Sequence, residues 1–297
     1  MALTQVPDEL LEFGVKTFGT NSIMLGDTTT GTIDAADYNV GLGVDVFAAL
    51  TSGDRNTAIG FASMDANTTG SDNTAVGNGS LGANTEASCN VAVGSSSLTA
   101  TTTGGNNTAV GCDALVANTT GTSNVAIGVS ALSTSATRLG NVAVGFEACK
   151  TLDTTGWVAV GYQAGKAATS GYDCVAIGSY ALTVNTTGHS NVALGHFTLD
   201  ANTTANYNVA VGKDALTETT VGENNTAVGT FAGNNNSSGE NLVAIGYGAL
   251  TSNTTASNNT AVGRDALYSN TTGASNVAVG YKALVAGTTG NVNTCVG

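Results

Sequence analysis

A five-residue block recurs along the chain, built from a polar residue, a β-branched residue, Ala, an aliphatic residue and Gly. Its copies start at Ser22, Asn39, Asn56, Asn73, Asn90, Asn107, Asn124, Asn141, Trp157, Cys174, Asn191, Asn208, Asn225, Leu242, Asn259, Asn276 and Asn293. Fifteen of the sixteen intervals are 17 residues, and the exception is the 16 residues of 141–156, which end at the only Trp. Numbering each unit from the first residue of the block gives columns. Column 1 is Asn in 13 of 17 units, column 2 is always β-branched, column 4 is always Val, Ile or Leu, and column 5 is always Gly. Column 3 is Ala except at Met24, Gly41 and Cys295. Column 8 is small, column 9 is usually Leu, and columns 12 to 15 commonly read Asn-Thr-Thr-Gly.

A fixed period of this length is the signature of a stacked repeat, and helical repeats need more than 30 residues per unit. Columns 2 to 4 predict a short strand, because β-branched side chains fit a pleated ladder. The following Gly permits a bend that a Cβ would forbid. Columns 8 and 9 predict a second short strand, and Asn-Thr-Thr-Gly is turn chemistry. One unit is then one flat coil, whose apolar positions are buried only when coils stack. The expected fold is all-β: a parallel β-solenoid, or β-roll, of about 17-residue coils over 22–297, preceded by a separate segment, 1–21. A calcium-binding roll is disfavoured, since its GGxGxD nonapeptide is absent.

Strand alternation puts columns 2 and 4 on one side and columns 1, 3 and 5 on the other. Two arrangements follow. With Ala inside, the Val/Ile columns form an apolar stripe along the outside, far larger than a monomer carries, and demand partner chains. With Val and Leu inside, the Ala column becomes an outer seam. The columns leave both open; the first, with association of three identical chains, is taken as the expectation.

Composition narrows the function. Only 10% of residues are charged, 5% are aromatic, and the net charge is −13. So acidic a chain lacks the basic face that nucleic acid or an anionic membrane needs. The start carries neither the basic nor the apolar region of a signal peptide, and no apolar run reaches the ~18–20 residues of a membrane span. Cys89, Cys112, Cys149, Cys174 and Cys295 form no CxxC pair and read as free thiols of a reducing compartment.

The repeats "NVAIG…AL" at Asn124 and "NTAVG…AL" at Asn107, with Asn-Thr-Thr-Gly at 118–121, resemble two families. One is the head repeats of trimeric autotransporter adhesins, a left-handed parallel β-roll trimer. The other, more similar, is the "NTAVGxxALxxNTTGxxN" arrays of bacteriophage, especially cyanophage, tail fibres. The opening Met1-Ala2-Leu3-Thr4-Gln5-Val6 is similar to the starts of phage fibre proteins. The resemblance implies a left-handed homotrimeric shaft in the virion, assembled in the host cytoplasm and docked on other virion proteins by its N-terminus. A host surface glycan or receptor is the distal partner it implies. The adhesin head is the alternative, and an ice-binding solenoid or a glycan-degrading tailspike rank below it.

Candidate residues follow. In 1–21, Pro7 predicts the start of a short helix in which Val6, Leu10, Leu11 and Phe13 offer an apolar face for docking, or a cap for the first coil. The irregular stretch around 133–173 gathers Arg138, Leu139, Lys150, Trp157, Tyr162, Lys166 and Tyr172, the aromatic and cationic chemistry of contact hot spots. Drift in a tolerant loop explains the same residues. At Trp157 the irregular unit reads as one residue gained before the turn and two lost after it. His189 and His196 fall in different columns, so no metal and no other cofactor is expected. No nucleophile, P-loop or HExxH arrangement occurs, and no enzyme activity is expected. The chain stops within a unit at Asn293–Gly297, which predicts a longer fibre with a non-repeating tip.

Overall fold

The computed structural model describes residues 15–18, 21–26 and 35–297. These residues contain no helix and 18 strands. The chain divides into two compact units, Met1–Gly140 and Asn141–Gly297. Each is a stack of parallel coils. In the first, β1 (Val15–Phe18) lies antiparallel on β2 (Ser22–Gly26), pairing Lys16 with Met24. From β2 the strands run in parallel through β3 (Val40–Gly43) to β8 (Val125–Ile127), one per coil. In the second, ten parallel strands run from β9 (Val142–Val144) to β18 (Thr294–Val296). Like column pairs with like, so Ala109 lies on Ala126 and Ala193 on Ala210. The fold is thus the expected β-solenoid of about 17-residue coils. Strand β1 pairs with β2 along the edge that β3 leaves open. Val6, Leu10, Leu11, Phe13 and the helix expected around them lie outside the described residues.

The Ala column is inside. Ala58, Ala75, Ala92 and Ala109 are fully buried, as are columns 8 and 9, exemplified by Ala114 and Leu115. The aliphatic residues of columns 2 and 4 stand outside; Val91 is 37% and Ile127 40% exposed. So narrow a coil has room for methyls in its strand and for one Leu from the opposite wall.

Columns 8 and 9 are not a strand. Columns 6 to 11 form successive turns, in which columns 7 and 9 have a left-handed backbone: Asp113 has φ +56° and Leu115 φ +51°. Such residues cost an L side chain about 1–2 kcal/mol each. The backbone reversal has a return in hydrogen bonding. The N–H of Asp113 donates to Ser95 O of the preceding coil, and that of Leu115 to Ala131 O of the next, both at 3.0 Å. At the column 5 corner Gly111 has φ +138°, and a Cβ there would meet Gly128 O at 2.5 Å. Only Gly fits such a corner when coils stack this closely.

Most polar groups of the interior columns are paired, Asn84 Oδ1, Asn118 Oδ1 and Ser135 Oγ being exceptions. The Asn107 carboxamide oxygen accepts the Asn124 N–H at 3.0 Å, and its Nδ2 donates to Gly121 O at 2.8 Å. Column 12 forms a second ladder: Asn84 Nδ2 donates to Asn67 Oδ1 at 2.8 Å and to Ala87 O at 3.1 Å. Buried amides are affordable only when bonded in this way. Thr hydroxyls of column 13 also donate across coils, as Thr68 Oγ1 does to Thr85 O at 2.9 Å.

The short unit is a single deletion. Asp153 N–H bonds to Thr169 O, which keeps column 13 in register, but Asn141 Nδ2 reaches Thr154 O, 13 residues on, where other units use the fourteenth. Column 14 is therefore the missing position. Gly156, with φ +80°, takes the column 17 place that Ser123 holds at φ +59°. No residue is gained before the turn.

Candidate interaction surface

Because columns 8 and 9 point inward, the residues of columns 6, 7 and 10 stand on the outer wall beyond the Gly corner. In the second unit this wall collects aromatic rings. Phe146 stacks on Tyr162 with centroids 5.3 Å apart, and Tyr162 meets Tyr180 edge-on at 5.3 Å. Tyr180 stacks on Phe197 at 5.0 Å, and Phe231 meets Tyr247 edge-on at 5.9 Å. All five cations of this unit, Lys150, Lys166, Lys213, Arg264 and Lys282, fall in the same three columns. Arg264 lies 5.5 Å from the Tyr247 ring centre, and Lys213 lies 5.8 Å from that of Phe231. Stacked neighbours of this kind add to the area they bury and hold the rings in place.

Glu147, in column 7, ties two coils of this wall together. Its carboxylate contacts Lys150 Nζ and Lys166 Nζ, each at 2.7 Å, and accepts from Gln163 Nε2 at 2.9 Å. The hydrogen bond from Lys150, then that from Lys166, hold the acid down at about 2.

The seven residues singled out around 133–173 do not form one cluster. Arg138 and Leu139 belong to the first unit, where Leu139 is exposed and Arg138 O accepts from Asn124 Nδ2. Lys150, Tyr162 and Lys166 stand on the wall just described, and Lys166 also lines a groove of about 530 Å³ with Gln163 and Thr183. Tyr172 is in column 16, stacked on His189 at 4.6 Å. His196 packs against Phe197 in column 6, so the two His occupy different walls. Among the described residues no three of His, Cys, Asp and Glu gather as a metal would require.

Trp157 needs a correction: it is fully buried and presents nothing to a partner. It replaces the column 1 Asn, and its indole N–H donates to Gly171 O at 2.6 Å, the acceptor the Asn amide would have used. Room comes from column 9, where Gly165 stands in place of Leu. A lone Trp in a variable stretch suggested a contact residue; the coincident loss of Leu at 165 was the signal that it points inward.

The aromatic wall itself escaped sequence reasoning, which followed the irregular stretch and not the columns. It carries a groove of about 570 Å³ lined by Phe231, Tyr247, Tyr268, Asp265, Lys282 and Thr251 among others. Gly248 creates it. Column 7 carries Phe231 in one neighbouring coil and Asp265 in the other, and Gly248 leaves the place between them without a side chain.

The cysteines are free thiols, Cys89 and Cys112 exposed, Cys149 and Cys174 buried. Burial pushes Cys174 up to about 11 and Cys149 upward as well. No protein-family model matches the chain, and no curated protein matches it.

Proposed function

We propose that the chain is a structural shaft: part of a phage tail or virion fibre, non-enzymatic, in which three copies associate along their lengths. Residues 1–21 dock it on other virion proteins, and the far end carries the part that meets a host glycan or receptor. The observation that carries this reading is the outer stripe of columns 2 and 4. Ile59, Val91, Ile127, Leu194, Val228 and Ile245 are each 36–41% exposed. Aliphatic residues repeated at this exposure on coil after coil are more apolar surface than a soluble monomer leaves uncovered. A second copy carries the same rise per coil and therefore matches the stripe in register, which an unrelated surface does not. The repeat resemblance to phage fibre arrays supplies the setting, and the column 13 Thr hydroxyls, engaged across coils, weigh against ice binding.

Light scattering on the full chain tests the association. Three copies give close to three times the 29.2 kDa chain mass. The double substitution Val91→Asp and Ile127→Asp is expected to shift the mass toward one chain while circular dichroism stays β-rich. A wild-type monomer would overturn the reading.

A further inference from the structure

The groove around Gly248 has the chemistry of a ligand site. Its volume, about 570 Å³, lies within the roughly 300–1,000 Å³ of small-molecule sites. Tyr247 and Tyr268 are 50% and 41% exposed, so their rings are open to contact while the neighbouring coils hold them. Between them the missing side chain of Gly248 uncovers Asp265, whose Oδ1 would lie 2.7 Å from a Cβ placed on that glycine. Its other oxygen is paired with Arg264 Nε at 3.3 Å. Thr251 Oγ1 shares its one proton between Gly248 O at 2.8 Å and Phe231 O at 3.1 Å, and as a hydroxyl it also accepts from a donor. Lys282 supplies an ammonium at the rim.

We propose that this groove binds an uncharged oligosaccharide. A pyranose has a flat C–H face that rests on an aromatic ring and a rim of hydroxyls that both donate and accept. The groove offers both halves: tyrosine rings for the face, Asp265 and Thr251 as acceptors, and Lys282 and the phenols as donors. Asp265 is paired with Arg264 and Lys282 adds one further cation at the rim, so the groove carries a small positive excess and not the basic track a polyanion needs. A nucleic acid would stack on the same rings, but Asp265 at the floor and the net charge of −13 oppose its phosphates. The inference does not rest on the fibre reading, since the residues belong to adjacent coils of one chain.

Saturation-transfer difference NMR on the full chain, with maltohexaose, cellohexaose and chitohexaose as separate probes, tests it. At least one probe is expected to receive saturation at its ring C–H protons. Tyr247→Ala and Tyr268→Ala are each expected to weaken that binding about tenfold, and Asp265→Asn to weaken it too. Phe61→Ala, an exposed aromatic of the first unit, should leave it unchanged. Unaltered melting curves establish that the variants remain folded. No transfer to any probe, or transfer that survives the Tyr247→Ala/Tyr268→Ala double variant, would overturn the proposal. So would tyrosine-dependent binding of a thymidine oligonucleotide in preference to all three sugars.

Discussion

The ring of Trp157 occupies the space that a side chain at Gly165 would need: a Cβ on that glycine would lie 2.7 Å from Trp157 Cζ3. Two departures from the repeat, Asn to Trp in column 1 and Leu to Gly in column 9, therefore compensate each other inside one coil. Gly165 has φ +60°, and Leu182 holds the same column in the next coil at φ +51°, so the backbone there accepts Leu. Trp157→Asn alone is expected to open a cavity and cost about 3–5 kcal/mol. Gly165→Leu alone overpacks, at about 1–3 kcal/mol. The double variant restores the usual coil and should cost much less than the sum. Thermal denaturation of the four proteins measures the coupling, and strict additivity would show that the two sites do not share a volume.

The column 12 ladder has a gap that can be filled. Asn118 Oδ1 and Ser135 Oγ are both buried without a hydrogen-bond partner. An Asn at 135 would extend its amide to Asn118, as Asn84 does to Asn67. Ser135→Asn is expected to raise stability by about 1 kcal/mol, seen as slower amide exchange in its own coil and its neighbours. Unchanged exchange would mean the amide does not reach.

The reverse experiment removes a rung. Asn253 Nδ2 donates to Asn236 Oδ1 at 3.0 Å and to Ala256 O at 2.9 Å, and its oxygen accepts from Asn270 at 3.1 Å. Asn253→Leu keeps the volume but strands these groups, at about 1–3 kcal/mol for each one left unpaired. Because coils interact only with neighbours, exchange should rise first around this coil.

Glu147 gives a pH signature. Its ordinary value of 4.5 falls to about 2 in the folded chain through Lys150 and Lys166. An acid depressed on folding stabilises the fold above its unfolded value, and the contribution is lost as pH falls through the folded value. The melting advantage of wild type over Glu147→Gln should be present at neutral pH and fade between about 4.5 and about 2. A difference that is constant over that window would mean the ion pairs contribute nothing.

Thiol labelling separates the cysteines. Cys89 and Cys112 are exposed and should react in the native protein, Cys112 more slowly because a hydrogen bond to Asp113 raises its pKa. Cys149 and Cys174 should react only after denaturation, as their buried thiolates are disfavoured. Early labelling of Cys149, followed by mass spectrometry, would show that its coil opens in the native state.

The sequence by itself determined what stacks on what. A strict period puts each residue on its own copy, so the strand at columns 2 to 4, the glycine corner and the ladder of coils follow from spacing alone. Which columns lie inside was decided only by the closed coil. The same alternation serves either face, and the choice depends on how the turns of columns 6 to 11 bring column 9 across to column 3, as Phe47 comes to Gly41. Those turns rest on left-handed residues such as Asp113 and Leu115, and no residue type announces that conformation. The tertiary structure likewise turned Trp157 from a surface candidate into a core residue, because its place depends on Gly165. It also assembled the groove at Gly248 from four successive coils, where contacts join residues about one repeat apart and the local sequence is silent.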